Sequence, residues 1–480
     1  MFEVRFGMTL QKLRQFFKDK LPLLLGVFIV LQPVLDILTA IGISMGSPVT
    51  AGVVVRSLFM GLTFLYVVFL CKFPGKKWCL AALGVLLAYL AVFMLHMLSV
   101  GGLALCLSNL QETTKTFFTP FVAVFLYAIY KEYGHYVSTR SIAWACGIYV
   151  GVILLAYLTG TSNFSYPNAA QGYNGWFYAA NEISGIVAIT SPVLMYYCFR
   201  TLPNVTRKTW WKAVLIVWTL AAVVFAAEFL GTKSIYAVVL VYIAAALIWT
   251  VIRMIREPDR RDLIQLLGLG VMLAALIALY FYSALRDHIV YVVSPLIDVP
   301  ADELDQHLNT EIVKVTEGTW LRELINNNAL VQRIDQVLSR RLLIAAPSVE
   351  VFLDGGLSAK LLGIGYANAA SYGYSIESMI EIDPLAILIR HGILGFCIYI
   401  GPYVAFVVGI IVRFFRHPLQ RLASLKYCSY LYACLVAFVS VVLVGHALVS
   451  PAMSIFLLVT AMQIWVLSGH PAPETLPVEQ

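Results

Sequence analysis

Charge is what this chain has least of. Asp, Glu, Lys and Arg make up 12% of its 480 residues, where a soluble domain carries about 25%. Metal-binding patterns are absent as well: there is no HExxH, no pair of histidines four apart and no DxD dyad, so no metal site is expected. The eight cysteines show no CxxC spacing, which excludes a zinc ribbon and leaves them as small apolar side chains within or beside hydrophobic runs. No repeat of 20–50 residues occurs, and no low-complexity tract beyond the polar tail from His470. No tract that would grip nucleic acid stands out, and nothing calls for a cofactor.

What is abundant is hydrophobicity, at 60% of residues with a mean hydropathy of +0.84. Apolar runs of about 20 residues, the length that crosses a bilayer, fall near 21–44, 50–71, 78–100, 113–133, 141–160, 180–199, 211–230, 232–255, 263–284, 384–412, 427–446 and 451–469. An all-α polytopic membrane protein of about twelve spans follows. The expected organisation is a basic amphipathic arm at 1–20, nine spans over 21–284, a large outer loop at 285–383, three spans over 384–469, and a tail at 470–480. The first apolar run reads as a retained signal anchor.

Lys and Arg orient the chain, because cytoplasmic loops concentrate them. With the N-terminus inside, the arm (Arg5 to Lys20) and every second loop carry 22 of the 33 basic residues. That predicts N-in, C-in topology. The remaining eleven are Arg56, Lys115, Lys233, Arg286, Lys314, Arg322, Arg333, Arg340, Arg341, Lys360 and Arg390. All fall in outer loops or in the outer half of a span. Cations on that side need a counter-charge, and an anionic ligand at the outer membrane face supplies one.

Candidate chemistry gathers between Leu361 and Phe396. Two glycines (Gly363, Gly365) precede a polar stretch with Glu377, Glu381 and Asp383, and Asp383-Pro384 signals a helix start with Asp as N-cap. Seven residues on, the apolar helix carries Arg390 and His391. Ionisable residues in a membrane helix are costly and mark function by default; the competing reading is an ion pair that pins a loop to a helix. Asp36 and Arg56 can meet across the first helical hairpin, either as a structural pair or with Arg56 shared between Asp36 and a phosphate. Lys115 can simply snorkel to the interface, whereas Lys233 opens a helix whose backbone donors favour an anion. His96 and His446 read as core histidines. Residues 161–178, rich in Asn, Gly and Tyr, suit an outward turn facing carbohydrate. The stretch Trp320–Leu343 has helical amphipathic spacing and suits a surface helix over the bundle.

Several of these segments together resemble the bacterial O-antigen ligase and O-antigen polymerase superfamily. They are Gly175-Trp176-Phe177 with Asn181-Glu182-Ile183-Ser184-Gly185, then Thr232-Lys233-Ser234, then Arg340-Arg341 followed by Leu361-Leu362-Gly363-Ile364-Gly365. Last comes Glu381 leading to Gly392-Ile393-Leu394-Gly395. Where ligases of that superfamily carry a His-Asn pair, this chain has Glu381-Ile382-Asp383, which looks like its polymerase-type members. The resemblance implies a glycosyltransferase of the bacterial cytoplasmic membrane with an outward-facing site, working in surface polysaccharide assembly. It implies two partners, a polyprenyl-diphosphate-linked glycan donor and a glycan acceptor, alongside other polysaccharide-assembly membrane proteins. Arg56, Lys115, Lys233, Arg340, Arg341 and Arg390 are then the candidates to bind diphosphate. Glu381, Asp383 and His391, in that order, are candidates for the general base, and Tyr178, Asn181 and Glu377 for glycan contacts. A ligase that transfers finished glycan to lipid, wall polymer or protein is the first alternative. A lipid-linked sugar transporter is the second, with the lack of paired half-chain repeats against it.

Overall fold

The computed structural model describes residues 2–47, 49–134, 137–166, 171–283, 286, 320–338, 341–366 and 380–469. Arg340 and Glu377 lie outside these, as does most of 284–319. Among the described residues ten helices are long and apolar enough to cross a membrane, with the shorter Pro451–Leu467 beside them. The chain is an all-α polytopic membrane protein. "Outer" below means the end opposite the Lys/Arg-rich loops.

The first helix, α1 (Phe2–Ser44), joins the expected basic arm and the first apolar run into one element. It is followed by α2 (Ala51–Leu65), whose last turn widens into a π-helical segment at Tyr66–Leu70. Basic side chains close that end: Arg14 Nε donates to Leu70 O at 2.8 Å and Lys76 Nζ to Val68 O at 2.8 Å. Such capping is where cations are favoured at a helix C-terminus. The 58 residues of α3 (Lys76–Tyr133) break at Gly101-Gly102, so two arms run where a straight helix would far outreach a bilayer. Then come α4 (Thr139–Leu158), a two-stranded antiparallel hairpin of β1 (Asn163–Tyr166) and β2 (Gln171–Gly175), and α5 (Ala180–Thr201). The expected outward turn at 161–178 is therefore partly β-structure lying on α4. Three further long helices follow, α6 (Trp210–Phe229), α7 (Lys233–Arg256) and α8 (Arg260–Tyr280).

The single amphipathic helix expected over Trp320–Leu343 is instead divided. Helix α9 (Trp320–Asn327) stops, and Asn328 caps α10 (Ala329–Val337) by accepting from Leu330 N at 3.1 Å and Val331 N at 3.2 Å. An Asn side chain competes with the backbone for hydrogen bonds, so it favours such a restart over an uninterrupted helix. Next are α11 (Arg341–Asp354) and the short α12 (Leu357–Leu362). The closing group is α13 (Asp383–Arg416), broken at Gly392, then α14 (Pro418–Leu422), α15 (Leu425–Leu443) and α16 (Pro451–Leu467).

At the centre stand α5 and α16. Nearly every residue of α16 is buried, as is 89% of the apolar window of α5, and a helix apolar all round belongs in the interior. Helices α4, α7, α15 and α16 all pack on α5. The outer faces of α1, α2, α3 and α13 expose Leu, Val and Ile, such as Leu58, Leu95 and Val404. All eight cysteines are free, five of them buried.

Candidate functional site at the outer end

One connection organises the outer end: the segment between α15 and α16, Val444–Ser450. It is held by Asp383, whose carboxylate accepts from His446 N and from Leu448 N, both at 2.7 Å. Asp383 is fully buried. It is the first residue of α13, not its N-cap, which is Ile382, so the expected cap fastens a neighbouring loop in place of its own helix. His446 sits at φ 58°, a positive φ that no other described non-glycine residue adopts and that L-residues rarely tolerate.

Three groups of polar side chains surround this segment. In the first, Arg341 Nε donates to Glu381 Oε2 at 2.8 Å, and its Nη1 donates to the carbonyl of Leu443. Asp335 sets up this arginine by accepting from Leu342 N and Leu343 N at the start of α11, at 2.9 and 3.2 Å. Arg341 is buried, while the Glu381 side chain keeps 28% of its surface open. Lys233, which opens α7, is close enough for its charge to feel that of Arg341. It is brought there by Ser184 of α5, whose hydroxyl bonds Thr232 at 2.5 Å and Ser234 at 3.0 Å. Two segments read separately in the sequence, Asn181–Gly185 and Thr232–Ser234, are thus two sides of one joint.

The second group is a buried network. Arg56 donates to Asp36 at 2.5 Å and to Gln32 at 2.9 Å, and Tyr149 donates to the other oxygen of Asp36. Glu182 lies near Ser450 and within electrostatic range of His446, Asp36 and Arg56. The third group centres on Tyr366. Its ring lies 4.7 Å from the Arg390 guanidinium, and its hydroxyl meets Thr116 at 2.5 Å and His391 Nε2 at 2.9 Å. Burial pushes the Tyr366 phenol up to about 12, with Arg390 opposing the rise, so it stays protonated at neutral pH. His391 is fully enclosed against Phe93 and Phe117. Lys115 pairs with Glu112 at 2.6 Å.

Leu448 ties the third group to the hub, because its carbonyl accepts from Thr119 at 2.6 Å and Tyr399 at 2.8 Å. The cations therefore share a hub without lining one described cavity. Arg341 pairs with Glu381 and has Lys233 nearby; Arg390 keeps company with His391 and Tyr366; Arg56 is spent on Asp36. Tyr178 is exposed and Asn181 half-buried where α5 begins, just after the hairpin. Glu182, Tyr366 and Asn109, whose Oδ1 accepts from Tyr366 N at 2.6 Å, were not singled out as site residues. An acid opening an apolar helix was the available signal for Glu182; Tyr366 and Asn109 are 257 residues apart and left none. Among the described residues no group of three or more His, Cys, Asp or Glu is placed to share a metal ion.

The sequence pattern of one family, described as O-antigen ligase like membrane protein, matches residues 18–467. The chain belongs to this family. Its members' description makes it a membrane protein of glycan ligase or polymerase type, and hence an enzyme of the membrane glycosyltransferase kind. No curated protein matches the chain. The glycines of the O-antigen ligase-like pattern have a visible purpose. Gly363 and Gly392 bring two backbones into contact, so a Cβ on Gly363 would stand 2.2 Å from Arg390 O and one on Gly392 2.4 Å from Leu361 O. Ile364 N and Gly365 N then donate to Ile389 O and Arg390 O at 3.0 and 3.1 Å. The Leu-x-Gly-x-Gly loop is thereby stitched to the broken turn of α13 that presents Arg390 and His391.

Proposed function

We propose that this protein is a polymerase-type glycosyltransferase of the bacterial cytoplasmic membrane. It transfers an oligosaccharide from polyprenyl diphosphate to a hydroxyl of a second lipid-linked glycan at the outer face. The observation that carries the reading is the pairing of Glu381 with Arg341, a partly open carboxylate held on one cation, with Lys233 near enough to Arg341 for the two charges to act on each other. In the reaction the acceptor oxygen bonds to the donor's anomeric carbon, and the bond from that carbon to the phosphate oxygen breaks. The hydroxyl proton passes to Glu381 as general base. The departing diphosphate keeps the electron pair, and Arg341 and Lys233 meet the charge that develops on it.

A polymerase handles two lipid-linked chains, whereas a ligase handles one and a different acceptor. Two separate cation positions, Arg341 with Lys233 nearby and Arg390 over Tyr366, suit the former. An apolar groove of about 420 Å³ between α2 and both arms of α3 is lined by Phe64, Leu87, Met94 and Leu110, with Thr113 and Thr114 among its walls. It offers a bed for a polyprenyl chain, with Lys115 one residue beyond Thr114 in sequence.

The test is complementation of a deletion strain. With Glu381→Gln, the isosteric change, polymer should fall by on the order of 100-fold with membrane abundance unchanged, and single repeat units should accumulate on the carrier. Long chains accumulating on the carrier would instead assign a ligase, and normal polymer would remove Glu381 from the chemistry.

A further inference from the structure

The opposite end of the bundle holds a second groove, of about 500 Å³, which the proposed reaction does not use. Both arms of α3, the long arm of α13, and α15 and α16 form its walls, with Val85, Pro120, Phe406 and Leu458 among the lining side chains. It is almost wholly apolar and reaches the exposed Trp78. The same helices carry cations at its inner end. Lys77 lies over Trp78, and Lys131 over Tyr127, both of which line the groove, each at 5.6 Å. Phe406 stacks on Trp465 at 4.8 Å, and the Arg413 guanidinium lies 3.5 Å from that indole.

Behind this aromatic step the described residues leave the basic charge uncompensated. Arg416 and Arg421 are within electrostatic reach of Arg413. Among the described residues no carboxylate lies within 4 Å of any of the three. Arg421 is only 3% exposed and gives Nη2 to Ser468 O, yet among the described residues its Nε and Nη1 have no acceptor, nor has Trp465 Nε1. Buried donors without partners are costly, and buried charges without counter-charges more so. The missing component is an anionic acceptor with several oxygens, attached to something apolar enough for the groove.

We propose that this groove is a binding site for an anionic glycerophospholipid of the inner leaflet. One acyl chain lies between α3, α13 and α16, and the phosphate meets Arg413, Arg416 and Arg421. Basic pockets between membrane helices on the cytoplasmic side recognise such headgroups, and the loops bearing these arginines are those that the Lys/Arg distribution places inside.

Native mass spectrometry and thermal unfolding of the full-length protein in detergent test this, with phosphatidylglycerol and phosphatidylcholine of identical chains as probes. Phosphatidylglycerol should remain bound and raise Tm, since a ligand of the folded state stabilises it; phosphatidylcholine should do neither. Arg413→Gln should weaken phosphatidylglycerol binding about fivefold, the value of one basic side chain at a membrane surface. Ala82→Phe, which fills the groove from an exposed position, should displace the chain while Tm without lipid holds. Equal binding of both lipids, or unchanged binding by both variants, would overturn the proposal. So would stronger competition by a polyprenyl phosphate than by phosphatidylglycerol. So would lipid binding that appears only once residues 470–480, with Glu474 and Glu479, are removed, which would make the tail the occupant.

Discussion

Arg56 shows how one side chain's chemistry depends on what surrounds it. As a cation in the outer half of a span it was a candidate for phosphate, yet Asp36 and Gln32 take its donors and Tyr149 takes the other side of Asp36. Both charges are nearly enclosed, at 7% and 10% side-chain exposure. Removing one leaves the other buried and unpaired, so Arg56→Ala should lower stability by about 3–5 kcal/mol. The double variant Arg56→Leu with Asp36→Leu should recover much of that loss, read as Tm in detergent. At the first group the expectation is reversed. Lys233→Ala removes a half-buried cation near the Arg341–Glu381 pair, so polymer yield should fall at least tenfold, well beyond what any accompanying loss of Tm accounts for. A Tm loss matching that of Arg56→Ala would make Lys233 structural.

At the scale of elements, function is presented by breaks in helices. Helix α13 runs 34 residues, but Gly392, at φ 67°, splits it into a short outer piece ending at His391 and a long piece beyond. The break lets Leu361 and Gly363 press against the turn, which orients Arg390 outward onto Tyr366. Gly392→Ala should therefore cost about 3 kcal/mol or more, from a left-handed backbone with a Cβ and from the clash with Leu361. Gly401→Ala, in the same helix with nothing near its would-be Cβ, should be neutral or slightly stabilising. Melting curves of the pair separate the two effects. Asp383 belongs to this scale too, since it joins the start of α13 to the loop before α16 rather than offering a free carboxylate.

For the whole molecule, the uneven burial of the helices is the main fact. With α5 and α16 enclosed and α1, α2, α3 and α13 showing apolar faces, the solvent for most of the surface is lipid. Orientation is then a separate, measurable property. In a cysteine-free background, Ser47→Cys, in the exposed turn before α2, should react with an impermeant maleimide added outside intact cells. Lys208→Cys, before α6, should react only after the membrane is opened. The reverse pattern would turn the molecule over and put Arg341 and Glu381 on the cytoplasmic side.

Apolar runs of spanning length were legible because a bilayer demands them one segment at a time, whatever their neighbours do. The family pattern was legible for a related reason: its glycines and short polar groups occupy places where backbone meets backbone, as at Gly363 and Gly392, and only those residues fit. Pairings between distant positions were not written in any local stretch. Asp36 with Tyr149, Arg341 with Glu381, Asn109 with Tyr366 and Arg421 with Ser468 depend on which helix ends up beside which. Packing around α5 and α16 decided them, because a side chain's charge is set by its residue type but its partner is set by the tertiary structure.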